Sequence, residues 1–454
     1  MNHPVGQATV EAPATRQARR RRLPVVPQIW LVAGGGWVGR IVQVVAQLLV
    51  VRILTDHLGV EGYGVFALLA SLATWFTLSD LGVGVSLQNH ISERRASGAD
   101  TGSLVISASL LAIAACGFVT LLVALTGPLL ARFILGDFGF LSPGHKLLVF
   151  YAMAFPGIGT ALGSLLYRVW FAQHRGYLSN LMPAAGTILG TLGVWIASRT
   201  HIEPALSWSV SLFYAPIALL PIFGLGITLA RLARLHRPSM ELAKTVLRRA
   251  LRFWLFGIIA ATVLQVDFII MAKVLSARDI VIYSIATRVF GLVFFVYNAL
   301  LMGLWPMCSE AVAGGRWEEV NRMVRKYVAL GAVFVILSGC AIEVTKPWII
   351  ATLAPSSRLA IPGSIVVLLT IYYVLRVWTD TFSTVIQSIN HLNVLWIALP
   401  FQATFSVTFQ VLGARWLGLE GMILGLILCF LLTTSWILPL AIHRLSAASP
   451  TAEA

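Results

Sequence analysis

Three arginines, Arg40, Arg288 and Arg376, sit inside long apolar stretches of the chain, where a guanidinium must find water, a carboxylate or a bound anion. Arg40 shares a helical face with Gly36, Gln43 and Gln47, spaced at three- and four-residue intervals. Arg376 shares another with Tyr373, Asp380, Thr384 and Gln387, and Ser284 lies one turn before Arg288. Guanidinium groups bind phosphate bidentately and stay charged at any biological pH, so several around one cavity suit a phosphate-bearing anion. The alternative is that each arginine pins helices together by pairing with an acid. Arg376 and Asp380, one turn apart, fit either account. Arg40 has no acid within a turn, which favours contact with a ligand. The acids on comparable stretches are Asp80, Asp267 and Asp380, which either neutralise the arginines or bind a coupling proton or sodium ion.

The elements that position these groups follow from composition. The chain is 58% hydrophobic and 11% charged, far from the roughly 25% charged residues of a soluble domain. Its mean hydropathy is +0.85. Apolar blocks of about 20 residues recur along it, which reads as an all-α polytopic membrane protein. The blocks fall at 28–54, 62–88, 104–127, 145–172, 177–198, 204–230, 250–274, 279–304, 326–350, 361–388, 392–414 and 419–442. These make about 12 helices, most of them long enough to cross a ~30 Å hydrocarbon core.

The net charge of +15 does not indicate nucleic acid, because the basic residues sit in short loops between apolar blocks. With the N-terminus inside, about 21 of them fall on the cytoplasmic face and about 9 outside, as the positive-inside rule requires. Residues 1–27 form a polar tail with a dense block at Arg16 and Arg19 to Arg22, and 444–454 form a second cytoplasmic tail. The loop 231–249 is basic, with Leu242, Val246, Leu247, Leu251 and Trp254 opposite Lys244, Arg248 and Arg249. It reads as an amphipathic helix at the membrane surface, joining an N-terminal lobe (28–230) to a C-terminal lobe (250–443). The lobes look related: Ser92-Glu93 follows the second helix as Ser309-Glu310 follows the eighth, and Gly62-Tyr63-Gly64 parallels Ile282-Tyr283-Ser284. A parallel repeat of this kind implies two lobes around a central cavity, a transporter architecture.

Other motifs reduce to packing. Gly34 to Gly39 matches GxGxxG, but no strand precedes it, and Gly35 and Gly39 also form GxxxG, as do Gly186/Gly190 and Gly421/Gly425. Pro156, Pro183, Pro216, Pro221 and Pro400 mark helix bends. The 4 cysteines show no CxxC spacing and the 9 histidines no HExxH, so no metal or other cofactor is expected beyond the coupling ion. Trp30, Trp305, Trp348 and Trp416 near helix ends form an interfacial belt.

The segment Arg52-Ile-Leu-Thr-Asp-His-Leu-Gly59-Val-Glu-Gly62-Tyr63-Gly64, then Ser79-Asp80-Leu-Gly82-Val-Gly84 and Ile91-Ser92, resembles the start of the Wzx-type polysaccharide flippases. These belong to the multidrug/oligosaccharidyl-lipid/polysaccharide exporter superfamily. The resemblance extends, less specifically, over almost the entire chain. It implies an inner-membrane protein that moves undecaprenyl-pyrophosphate-linked oligosaccharide to the periplasmic leaflet by alternating access, through a cationic central cavity. It also implies work alongside a polysaccharide polymerase and chain-length proteins. Arg40 and Arg288 stand in the first and eighth helices, where the related lipid II flippases carry cavity arginines. The chain lacks the two additional C-terminal helices of that subfamily. The expected site is therefore Arg40, Arg288 and Arg376 on the pyrophosphate, with Gln43, Gln47 and Tyr373 meeting water or sugar.

Two other readings compete. A multidrug/cation antiporter on the same fold would have a cavity richer in acid than in arginine. A membrane polymerase or ligase acting on lipid-linked sugars would need a sizeable external domain with acid/base groups, and the external loops here are short.

Overall fold

A computed structural model describes residues 28–448 apart from 174, 201–202, 356–358, 390 and 392, so the tail 1–27 and the last six residues of the tail 444–454 lie outside the described residues, while 444–448 continue the last helix. Twelve helical elements follow one another: α1 (Gln28–Phe76), α2 (Val83–Ala96), α3 (Gly102–Leu135), α4 (Pro143–Ala172), α5 (Gly176–Thr200), α6 (Ala205–Leu232), α7 (Met240–Val274), α8 (Ala277–Ala313), α9 (Trp317–Leu353), α10 (Gly363–Ser388), α11 (Asn393–Leu432) and α12 (Thr434–Ala448). Among the described residues, ten helices are long and apolar enough to cross a membrane. In lipid, backbone amides must be satisfied within the segment, and helices alone do this for a chain of this hydropathy.

Two of the elements are helices continued through a reversal. Gly59 breaks α1 with φ 70°, and Gly418 breaks α11 with φ 64°, both in the left-handed region that suits glycine. A straight helix from Arg40 to Thr77 would separate them by about 55 Å, yet both line one cavity. The arms of α11 pack just as closely: a Cβ on Gly413 would lie 2.0 Å from the Gly421 carbonyl oxygen, and one on Gly425 2.3 Å from that of Phe409. Glycine-to-backbone approach therefore accounts for Gly421/Gly425. It also accounts for Gly35/Gly39 and Gly186/Gly190, where Gly39 meets the Asn180 carbonyl of α5 and Gly190 the Phe213 carbonyl of α6.

The structure departs from the sequence reading in two places. The second span is not continuous: residues 77–82 leave the helix, with Leu81 at φ 53° and Gly82 at φ 76°. The Asp80 carboxylate accepts from the Gly82 N–H (2.9 Å) and the Gly84 N–H (2.8 Å), restarting the chain as α2. The basic stretch before residue 250 is likewise no separate surface helix. Residues 231–232 end α6, 233–239 form the turn, and from Met240 the stretch is the first turns of α7, whose Val246 and Ala250 are fully buried against α2 and α3. Ser86 Oγ of α2 donates to the Val246 carbonyl (2.9 Å), and a Cβ on Gly82 would meet the Ala250 carbonyl at 2.5 Å. The stripe is apolar because it faces protein, and of its members Leu251 remains exposed.

Candidate functional site

A cavity of about 990 Å³ lies between both arms of α1, α5 and α6 on one side and α7 and α8 on the other. Pro183 of α5 stands at its wall, at a point where a helix bends readily. Polar side chains enter it from every quarter: Arg40, Gln43 and Gln47 from α1, Thr187 from α5, Gln265 from α7, Thr287 and Arg288 from α8. Among the described residues, its lining carries no carboxylate.

Arg288 reaches from α8 towards α1, donating to Gln47 Oε1 (3.3 Å) and through Nε to Ser284 Oγ (3.4 Å). Arg40 holds its guanidinium over the Phe295 ring, 5.9 Å from the centroid. Neither has a carboxylate in ion-pair contact among the described residues. Two uncompensated cations inside the span of a membrane protein require water or an anion, and the polar lining supplies room for either. A smaller opening of about 210 Å³ leaves the same two arginines between α1 and α8, walled by Val44, Leu48, Leu292 and Phe295.

The third arginine is elsewhere, so the expected three-arginine cluster is corrected to two. Arg376 lines a separate pocket of about 130 Å³ in company with Asp380, Thr379, Ser383, Gln402 and Thr434. It pairs with Asp380 (2.9 Å), donates to Tyr372 Oη (3.2 Å) and lies within 6 Å of the Phe294, Tyr372 and Phe430 rings. Helical spacing locates a polar face but not the neighbours it meets, and the acid one turn on was already sufficient partner. Tyr373 also lies off the cavity, stacked on Phe290 with centroids 5.3 Å apart.

The acids take three separate positions. Asp80 caps α2 as described, near Arg168, which itself donates to Gln88 Oε1 (3.2 Å). Asp267 is buried and accepts from Tyr283 Oη (2.5 Å) and the Phe268 N–H (2.8 Å), two residues from the cavity-lining Gln265. Asp380 belongs to Arg376.

Sequence reasoning passed over Arg168, although it lies inside the expected span 145–172. It also missed the part played by Tyr63, a fully buried residue of α1 whose hydroxyl meets Ser284 Oγ (3.1 Å) across the seam to α8. The signal was present in the parallel between Gly62-Tyr63-Gly64 and Ile282-Tyr283-Ser284, two segments that touch each other in the fold. At the same end, Thr55 Oγ1 donates to the Leu353 carbonyl of α9 (3.0 Å) and a Cβ on Gly64 would lie 3.4 Å from that of Ala277.

An all-helical membrane protein with an arginine-bearing cavity between packed helices has the build of a transporter, and comparison with known proteins gives the class. The fold matches an inward-facing MATE family multidrug transporter of the MOP superfamily with a TM-score of 0.70 at 15% identity, covering 91% of this chain and 96% of that one. It matches the lipid II flippase MurJ in an inward closed conformation with a TM-score of 0.72 at 12% identity, covering 91% and 87%. In sequence, the chain is 38% identical over 420 residues to a Yersinia pseudotuberculosis protein named for O-antigen export, covering 91% of this chain and 95% of the relative. It is 32% identical over 421 residues to a Salmonella typhi protein named as an O-antigen transporter, covering 93% and 97%. No protein-family model matches the chain. The chain belongs to the family of these O-antigen export proteins and transporters, and is a multi-pass bacterial membrane protein.

Proposed function

We propose that this protein is an inner-membrane flippase that carries undecaprenyl-pyrophosphate-linked oligosaccharide from the cytoplasmic to the periplasmic leaflet during surface polysaccharide synthesis. The observation that carries this reading is the pair of arginines, Arg40 and Arg288, which have no acidic partner among the described residues and stand in a cavity whose described lining has no carboxylate. A diphosphate bridging the two guanidiniums supplies the missing counter-charge, and the cavity's glutamines and hydroxyls then face the first sugars. The same lining disfavours a cationic drug as cargo.

The α1–α8 opening suits the polyprenyl chain, because its walls are apolar and its inner end carries both arginines. The head group can enter while the tail stays in lipid. At the end of the molecule bearing Gly59, the seam is shut by Tyr63–Ser284 and Thr55–Leu353. With both termini cytoplasmic, that end is periplasmic and the cavity is in its inward phase. Alternating access then follows from rocking of the lobe 28–230 against the lobe 250–443.

Coupling to H⁺ or Na⁺ falls best to Asp267, which is next to the cavity and held by a single tyrosine hydroxyl and a backbone amide. Asp380 and Asp80 are already engaged by Arg376 and by the α2 amides. The polymerase and chain-length proteins that extend the exported units are the expected downstream partners.

The testing experiment is deletion of the gene followed by chemical analysis of each leaflet. Full-length lipid-linked repeat units trapped on the cytoplasmic side, with surface polysaccharide lost, support the reading. Normal surface polysaccharide with heightened sensitivity to cationic drugs overturns it in favour of an antiporter.

A further inference from the structure

A groove of about 500 Å³ lies between the α10–α11 turn with the start of α11 on one side and α12 on the other. Its walls are apolar: Ile397, Ile437, Leu440 and Ala441 contribute, and Ile397 and Leu440 are 64% and 51% exposed. In a membrane-spanning protein, such exposure means a surface turned towards acyl chains. One end of the groove differs, because His391, in the α10–α11 turn, and Arg444, near the end of α12, close it with basic groups. Arg444 is exposed and has no acidic partner among the described residues. From Ile437 to Arg444 is about 10 Å of helix rise, the distance from upper acyl chain to head group.

We propose that this groove is a binding site for an anionic phospholipid, with the phosphate on Arg444 and His391 and one acyl chain along Ile397, Ile437 and Leu440. Charge complementarity selects the occupant. A zwitterionic lipid gains less from two basic groups than a lipid with net negative charge does, and an apolar helix from another protein leaves Arg444 without an anion. The groove shares no lining residue with the central cavity or the α1–α8 opening, so the site is independent of the transported lipid.

The test uses the full-length protein purified into nanodiscs containing equal phosphatidylglycerol and phosphatidylcholine of matched chains, with retained lipid counted by native mass spectrometry after transfer to mild detergent. The wild type is expected to retain phosphatidylglycerol over phosphatidylcholine by about fivefold, from the Arg444 cation. Arg444→Gln with His391→Gln is expected to bring the two to parity, and Arg444→Lys to keep most of the preference. Leu440→Trp, which fills the groove, is expected to lower retention of both lipids while the elution profile of the protein stays unchanged. Parity in the wild type, or an undiminished preference in the double variant, overturns the proposal. Displacement of the retained phosphatidylglycerol by equimolar undecaprenyl phosphate also overturns it, because the groove would then belong to the transported lipid. Central-cavity variants such as Arg40→Ala leave this readout unmoved, so its failure and that of the flippase reading are separable.

Discussion

The difference between Arg288 and Arg376 is one of partners. Arg288 has only neutral ones, Gln47 and Ser284, at 3.3 and 3.4 Å, whereas Arg376 is neutralised at 2.9 Å and boxed by aromatic rings. Removing Arg288 therefore costs the fold little and the bound anion much. A charge-assisted hydrogen bond is worth about 1.5–3 kcal/mol, so Arg288→Ala or Arg40→Ala should slow translocation about tenfold or more at unchanged protein level. Arg288→Lys should recover only part of the rate, since an ammonium cannot form the bidentate contact. Arg376→Met should instead lower stability, by about 3–5 kcal/mol, by leaving Asp380 uncompensated, and adding Asp380→Leu should recover most of that loss. Thermal denaturation of the purified variants in detergent checks this. The sequence showed the Arg40 stripe because Gly36, Gln43 and Gln47 recur at helical spacing. It did not show that the Arg376 stripe faces a different pocket, because periodicity is a property of one helix and a shared cavity is a property of several.

Among the elements, hydropathy located the apolar segments and their breaks but not how the chain passes through them. Gly59 and Gly418 fall in the breaks between 28–54 and 62–88 and between 392–414 and 419–442, and what hydropathy did not show is that helix runs up to each glycine from both sides. The interruption at 77–82 did carry a local signal, Asp80-Leu-Gly82, in which the acid caps the following helix and the glycine takes a left-handed conformation. It was read as the mark of a family rather than as a break. The close helix crossings give a direct prediction. A Cβ on Gly190 would stand 2.3 Å from the Phe213 carbonyl oxygen, while one on Gly226, also helical, would meet nothing within 4 Å. Gly190→Leu should separate α5 from α6 and reduce the yield of folded protein, and Gly226→Leu should not; detergent-extracted, monodisperse protein is the quantity to compare.

At the scale of the whole molecule, one seam decides the direction in which the cavity opens. Just past its reversal, α1 touches the first turns of α8, with Tyr63 on Ser284, and further along the same two helices the arginines face an opening. A disulfide needs Cβ atoms about 3.5–4.5 Å apart, and a Cβ added at Gly64 would stand 3.4 Å from that of Ala277, so small adjustments allow one. Gly64→Cys with Ala277→Cys, with exposed Cys340 replaced, should form a crosslink on oxidation that stops transport and is reversed by reductant. Continued transport by the fully crosslinked protein would show that this end of the seam need not open. The most direct measurement is translocation itself, in proteoliposomes carrying a fluorescent undecaprenyl-pyrophosphate oligosaccharide, read as the fraction of label accessible to a membrane-impermeant quencher. The wild type should exchange the label between leaflets well above protein-free vesicles, and Arg40→Ala with Arg288→Ala should fall to that background. Exchange by the double variant as fast as by the wild type would contradict the assignment of these arginines, and a wild type no faster than empty vesicles would contradict the flippase itself.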